Sequence, residues 1–402
     1  MAITITNSPQ IFTPSENMIT WQVSTDATTL VYFKFDVLVS GSDLLLDTFN
    51  LYPTPLNPTS SYIDLSRLLR NEVKWQADNT MVSLVAPVVD PLFAYRVVIT
   101  EILYDSSTQV FSNGAVYSNS ADKFFAFQSQ LDRIAFHAYV QNNFVINSST
   151  SSRFLTNKPD YVNVNTNSSE VLYFLQTGQT ALNVVVNTYG ASGLINTYTS
   201  AITGLTTNNM YRLHASQKAL GSILGISFTN VTYYTIQIFD GSSVARTELR
   251  TFNVFEFEPF YSFANVWFAN NLGGWDVYMF LNPQKTIATK KTNIKQNIYA
   301  LDGSGVYTDI DNGIFNPSIE NINTVTTTSF KAVSRPLTDL EANWLQELYQ
   351  SRQAYLELAD GTLAPITITS NSYPIKLNKY NRSEPNWVDI QFTLTDNISP
   401  TI

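Results

Sequence analysis

Hydrophobic and polar residues alternate with period two along much of the first third of the chain. In NMITWQVS, Asn17 to Ser24, the side chains of Ile19, Trp21 and Val23 fall opposite those of Thr20 and Gln22. LVYFKFDVLVSG repeats the pattern more cleanly, with Phe33, Phe35, Val37 and Val39 on one face and Lys34 and Asp36 on the other. Successive side chains of an extended chain point to opposite faces, so this alternation predicts strands with one buried face. LYPTPLNPTSSY carries Pro53, Pro55 and Pro58 and predicts a loop, because proline has no amide hydrogen to donate to a sheet. In IDLSRLLRNEV, Leu65, Leu68 and Leu69 recur at helical spacing and predict a helix of about two turns. FAYRVVITEILYD and DKFFAFQS predict the strands that close this first unit.

A second stretch follows the same plan. In VTYYTIQIFDGSSVARTELRTFNVFEFE, Tyr234, Ile236 and Ile238 alternate, and Asp240-Gly241 is a hairpin-turn signal. Both this stretch and AYRVVITEIL…SNSADKFFAF run from an aromatic-led strand through a polar loop to a terminal strand of spaced phenylalanines, which predicts a diverged internal repeat. The last third differs. In TDLEANWLQELYQS, Thr338 and Glu341 have the spacing of a capping box, in which hydroxyl and carboxylate each satisfy a free amide at a helix start. Leu340, Trp344 and Leu348, with Leu345 beside them, predict one apolar stripe. The strands AYLELADG, APITITSNSY and WVDIQFTLTD follow. The expected fold is mainly β: two β-sandwich domains of the immunoglobulin or fibronectin type III kind, residues 1–128 and 129–258, then a C-terminal α+β domain, residues 259–402, with one amphipathic helix on an antiparallel sheet.

The most aromatic region, Phe257 to Phe280, contains the dipeptide Gly273-Gly274. Glycine takes positive φ and lets another backbone approach closely. Two readings stay open: a junction where the second β-domain docks on the third, or a hairpin turn within one domain's core.

Composition narrows the function classes. Of 402 residues 44% are hydrophobic and only 14% charged, so large cores can form and disorder is excluded. The net charge of -9 offers nucleic acid no broad basic footprint, and direct nucleic-acid recognition is not expected. The one dense basic run, KKTNIK from Lys290 to Lys295, reads as a solvated loop or strand. With no cysteine, disulfides and thiolate metal sites are excluded. The N-terminus has no signal-peptide pattern, no run approaches the ~18–20 apolar residues of a membrane helix, and synthesis in a cytoplasm is expected.

Candidate chemistry is sparse. His137 and His214, the two histidines, each lie in a stretch that alternates like a strand, and neither has a second ligand at metal-binding spacing. No Gly-x-Ser-x-Gly elbow supports a nucleophile. LDGSGVYTDIDNG carries Asp302, Asp309 and Asp311 but fails the spacing of a calcium-binding EF-hand, and Gly303 and Gly305 lack the lysine of a phosphate-binding loop. Asn147, Asn167 and Asn230 open glycosylation-type triplets of the kind that an Asn-, Ser- and Thr-rich chain contains by chance. No catalytic, cofactor or metal site is expected.

Four stretches, taken in order, resemble a family of virion structural proteins from tailed bacteriophages and prophages of Bacteroidetes hosts, crAss-like phages included. They are ITNSPQIFTPSENMITWQVS with the strand LVYFKFDVLV after it, SSYIDLSRLLRNEV, FEPFYSFANVWFANNLGGWDVYMF, and LTDLEANWLQELYQSRQAYLELADGTLAPITIT. Relatives often show Trp-Leu-Asn-x-Leu-Gly-Gly-Phe-Asp at the third; here Trp267 to Asp276 reads WFANNLGGWD, with one extra residue. The resemblance implies a non-enzymatic component of the tail, neck or baseplate, made in the bacterial cytoplasm and localised to the virion. It would form a ring or collar as a homo-oligomer of cyclic symmetry, contacting portal, tail, baseplate or fibre proteins. The alternative is a receptor-binding adhesin or fibre that recognises host surface glycan.

Overall fold

The computed structural model describes residues 2–118, 123–147, 152–179, 181–255, 262–295, 300–301, 303–308, 310–311, 314–315, 317–370, 372 and 386–395. The fold is mainly β, in several sheets.

The first unit contains β1 (Ile3–Asn7), β2 (Phe12–Pro14), β3 (Thr20–Thr25), β4 (Leu30–Val39), β5 (Leu45–Leu51), β6 (Ser60–Asp64), helix α1 (Ser66–Leu69), β7 (Val85–Pro87), β8 (Leu92–Asp105), β9 (Val110–Ser118) and β10 (Phe124–Phe127). One sheet has the order β1-β3-β6; the other runs β2-β10-β8-β4-β5, with β9 paired to β8. The alternation read in the sequence builds the layer between them. Trp21 and Val23 of the small sheet, with Ile19 just before it, pack with Phe33, Phe35, Val37, Val97 and Ile99 of the large one, which makes a sandwich. Helix α1 is a single turn rather than two. It has no side-chain cap, and Leu65 and Leu69 are buried in the core with Leu68 half-buried against it.

The second unit contains α2 (Arg133–His137), β11 (Val145–Ile146), β12 (Tyr161–Val164), β13 (Val171–Gln176), β14 (Leu182–Gly190), β15 (Gly193–Ile202), β16 (Asn209–His214), α3 (Gln217–Leu224), β17 (Tyr233–Asp240) and β18 (Arg250–Val254). Its sheets, β11-β13-β16-β7 and β12-β18-β17-β14-β15, also enclose one shared core, with Leu172, Phe174 and Leu213 against Val184, Tyr234 and Ile236. Strand β7 comes from the first third of the chain yet pairs with β16. The two large sheets share a plan: β10 lies antiparallel to β8 and parallel to β2, and β18 lies antiparallel to β17 and parallel to β12. This matches the internal repeat seen in the sequence.

The third unit contains β19 (Phe263–Ala269), β20 (Trp275–Lys295), the short β21 (Ala300–Leu301), β22 (Tyr307–Thr308), β23 (Ile310–Asp311) and β24 (Ile314–Phe315), then β25 (Ile319–Val333), α4 (Asp339–Trp344), α5 (Gln346–Gln350), β26 (Ala354–Glu357), β27 (Leu363–Ile368) and β28 (Asp389–Leu394). The antiparallel sheet expected under one helix is here a closed barrel, β19-β20-β25-β28-β27-β26, which leaves no sheet edge open around the ring. The capping box at Thr338 and Glu341 forms. The single helix does not: it breaks at Leu345 into two short ones. Trp344, Leu345 and Leu348 are buried, but Leu340 is 68% exposed. A four-residue repeat drifts by about 40° per step on a helix of 3.6 residues per turn. The buried stripe therefore centres on Glu341, Trp344, Leu345 and Leu348, and Leu340 falls outside it.

Candidate functional site: a seam shared by three units

Each unit contributes to the seam a strand that is buried on both faces. In β10, Phe124 and Ala126 enter the first core, while Phe125 and Phe127 point the other way. In β13, Leu172 and Phe174 enter the second core, and Val171, Tyr173 and Leu175 point away. In β19, Ala264, Val266 and Phe268 line the barrel, and Trp267 and Ala269 point out. These outward residues meet Trp275 and Val277 of β20 in one apolar cluster that joins all three units. A strand buried on both faces reads as a continuous apolar run rather than an alternation, which explains FFAF, VLYFLQ and FANVWFA.

The Gly-Gly dipeptide sits at the centre of this seam. It closes the β19–β20 hairpin, and it is also where the other two units touch the barrel, so the two readings left open by the sequence describe the same turn. The first unit takes part as well. Gly273 has φ +98°, and a Cβ on it would lie 2.0 Å from the carbonyl oxygen of Gln128. A Cβ on Gly274 would lie 2.6 Å from the carbonyl oxygen of Leu155. Gln128 Nε2 donates to the Gly273 carbonyl at 2.7 Å, and Ser129 Oγ to that of Asn271 at 2.6 Å. Asn270 holds the turn from inside: its Oδ1 accepts from the amides of Leu272 and Gly274, and its Nδ2 donates to Leu155 O at 2.8 Å. Of the expected junction Phe257 to Phe280, residues 257–261 lie outside the described residues.

Beside the apolar seam lies a buried polar layer. Lys158 Nζ donates to Glu170 Oε2 and, at 3.1 Å, to the carbonyl of Val277, and it stands 5.0 Å from the ring centroid of Trp344. Asp276 Oδ2 accepts from Trp344 Nε1 at 2.7 Å and from Thr156 Oγ1 at 2.8 Å. Glu347 accepts from Asn157 Nδ2 at 2.6 Å and from the amide of Asn271 at 3.0 Å. Arg335 pairs with Glu341 and donates to Asn163 O at 3.0 Å. Each of these ties crosses between the second unit and the third or fixes a group that does. Burial raises the carboxyls of Asp276 and Glu170, opposed in both by the Lys158 ammonium. Glu347 is pushed up to about 7, first by burial and then by the charge of Asp276.

A cleft of about 320 Å³ opens where the three units meet, bordered by Asn167, Ser169, His214, Phe263, Asn265 and Glu357. Two of its ionisable groups, Glu357 and His214, are engaged within the chain, and Lys218 at its border is exposed. Glu357 accepts from Trp267 Nε1 and Ser169 Oγ. His214 Nε2 lies 3.0 Å from Thr80 O, and burial holds the ring down to about 4, so it is neutral at neutral pH. Ser216, two residues on, spends its hydroxyl capping α3 at Ala219 N. No nucleophile is paired with a base among these groups.

His137 is exposed in helix α2, not in a strand. Asp132 caps that helix through the amides of Ile134 and Ala135, and this local bonding overrides the alternation around Phe136 and Tyr139. Asp302 and Asp309 lie outside the described residues. Among the described residues no three His, Asp or Glu converge as metal ligands, and no helix is long and apolar enough to cross a membrane. Lys290 to Lys295 is an exposed part of β20. Sequence reasoning did not find Lys158, Glu170, Asp276 or Glu347. For Asp276 a signal existed: a lone carboxylate inside the apolar run WDVYMF.

No family profile matches the chain, and no curated protein does. Solved structures match only loosely. The Dpr2 Ig1-Ig2 complex with DIP-Theta Ig1-Ig3 is 10% identical over 64% of this chain and 100% of that one, with a TM-score of 0.16. The full extracellular region of Plexin A4 is 8% identical over 99% of this chain and 36% of its own, with a TM-score of 0.17. Dimeric latent PorU from Porphyromonas gingivalis is 11% identical over 83% of this chain and 32% of its own, with a TM-score of 0.17. The chain thus spans about a third of the length of the latter two.

Proposed function

We propose that the chain is a non-enzymatic structural component of a tailed-phage virion, a ring, collar or baseplate part of the tail or neck that works through contacts between protomers and with neighbouring virion proteins. Its units are two sandwiches of the immunoglobulin or fibronectin type III kind, residues 1–128 and 129–258, and a barrel domain within 259–402. The order of the four resembling stretches suggests the class. The observation that carries the reading is where the chain puts its polar chemistry: Lys158, Glu170, Asp276, Glu341 and Glu347 are all used as internal ties, and His214 and Glu357 at the cleft are bonded within the chain. Groups consumed in holding three units as one body suit a building block that bears load.

The test is made on particles. Mass spectrometry and electron microscopy of purified virions of a phage encoding this chain should find it in a cyclic ring, and its loss should block assembly. Particles that assemble without it but fail to adsorb to the host would turn the assignment to the glycan-binding adhesin. Absence from particles would refute both.

A further inference from the structure

Strands β20 and β25 leave the barrel together as a two-stranded ribbon, paired from Thr286↔Ser329 to Lys295↔Ile319. Almost every position of this ribbon is exposed. Among the described residues neither strand has a second neighbour there: β20 pairs with β19 only as far as Leu281, and β25 with β28 only from Ser329 to Val333. A ribbon wetted on both faces is marginal in water, and open edges are templates for another chain. Ile287, Ile294, Ile319, Ile322 and Val325 are exposed on it. Over residues 281–295 and 319–333, five lysines face one glutamate, a formal +4 in a chain of -9, so the rest of the chain carries -13. Lys290, Lys291 and Lys295 make no ion pair among the described residues.

A complementary edge exists at the other end of the molecule's sequence. β5 is the outer strand of the first unit's large sheet. Leu44 and Leu45 are exposed at its start, between the exposed Asp43 and Asp47. Residues 1–128 hold twelve acidic and six basic side chains, a formal charge of -6.

We propose that the ribbon of one copy docks on the β5 edge of a second copy. The lysines would meet the acidic first sandwich, the ribbon's isoleucines and Val325 would cover Leu44 and Leu45, and backbone groups would extend the sheet. Pairing of ribbon with ribbon is disfavoured, because alternation puts Lys290 on one face and Lys291 and Lys295 on the other, and lysine would meet lysine. The proposal deepens the ring reading by naming its contact. It is tested on purified protein alone, so a chain missing from particles would sink the virion reading and leave this one standing.

The experiment is sedimentation velocity on the full chain across concentration and salt, with circular dichroism as the folding control. Wild type should associate, and more weakly as salt rises. Lys290→Glu/Lys291→Glu/Lys295→Glu should weaken association about tenfold or more, as should Asp47→Lys/Asn50→Lys, and joining the two sets should restore much of it, since opposite charges again face each other. These positions are exposed, so the fold should survive the changes. A wild type that stays monomeric, variants that associate as well as wild type, or a combined variant that regains nothing would each overturn the proposal. So would a photo-crosslinker at Lys291 that captures a second ribbon, or duplex DNA, in place of the first sandwich.

Discussion

Gly273 shows how little room one residue can have. Its φ is +98°, and a Cβ would fall 2.0 Å from a backbone oxygen of another unit. Gly273→Ala should therefore cost about 3 kcal/mol or more in urea unfolding, because a strained φ and a backbone clash act together. Gly241 is the control: a Cβ there meets nothing within 4 Å, and Gly241→Ala should stay within about 0.5 kcal/mol of wild type. Trp344 joins two roles, filling the barrel's core and donating to Asp276. Trp344→Ala should cost ~3–5 kcal/mol. Trp344→Phe keeps an aromatic ring in the core but removes the donor, and at least about 1–3 kcal/mol is expected for a buried carboxylate left short of a partner. Glu347 should be visible in the pH dependence. Its native value, about 7, lies above the ordinary 4.5, so the native state binds a proton that the unfolded state releases between these values. Its contribution is thus complete below pH 4.5 and lost as pH rises through 7. His214, held down to about 4, acts in the opposite sense below 6.5, so the readout is the difference between variant and wild type. Glu347→Gln should gain on wild type by up to about 3 kcal/mol between pH 4.5 and 7. A difference that is flat with pH would remove Glu347 from the account.

At the level of elements, burial on one face or two separates the strands. β4 alternates because only one face is covered; β13 and β19 do not, because the sandwich core or the barrel takes one face and the seam the other. The ribbon is the opposite extreme, with both faces wet beyond its root. It should add almost nothing to the stability of a single chain. Replacing residues 287–328 by a two-residue turn between Thr286 and Ser329 should leave Tm within about 3 °C of wild type in dilute protein. A large drop in Tm would show that the ribbon packs on its own body.

For the whole molecule, the seam decides cooperativity. Phe125 and Phe127, Tyr173 and Leu175, and Trp267 and Trp275 belong to three units but to one buried cluster. No unit can unfold without exposing the aromatics of the others. Calorimetry should show one main transition rather than three, although chains of this length with several domains often melt in steps. A fragment starting at Ser262 should expose Trp267, Trp275 and Val277, bind a hydrophobic dye and aggregate. A monodisperse, dye-silent fragment would mean that the seam is a contact of convenience between independent domains.

The sequence by itself determined whatever depends on neighbours along the chain. The alternation at Phe33, Phe35 and Val37 follows from the pleat, the capping box at Thr338 and Glu341 closes within one helical turn, and the repeat of the two large sheets was legible in the order of strand and loop. The candidate site was legible only as an anomaly, two glycines among aromatics. Tertiary structure decided the rest. That β7 joins the second unit's sheet and that the last sheet closes on itself both turn on partners far away in sequence. Lys158 meets Glu170 and Trp344, and Gly273 meets Gln128, through contacts that no local period encodes. Local dihedral and side-chain preferences act over one turn or one pleat. The faces left over once each core is filled choose one another only when the folded units meet, and that is where the seam is made.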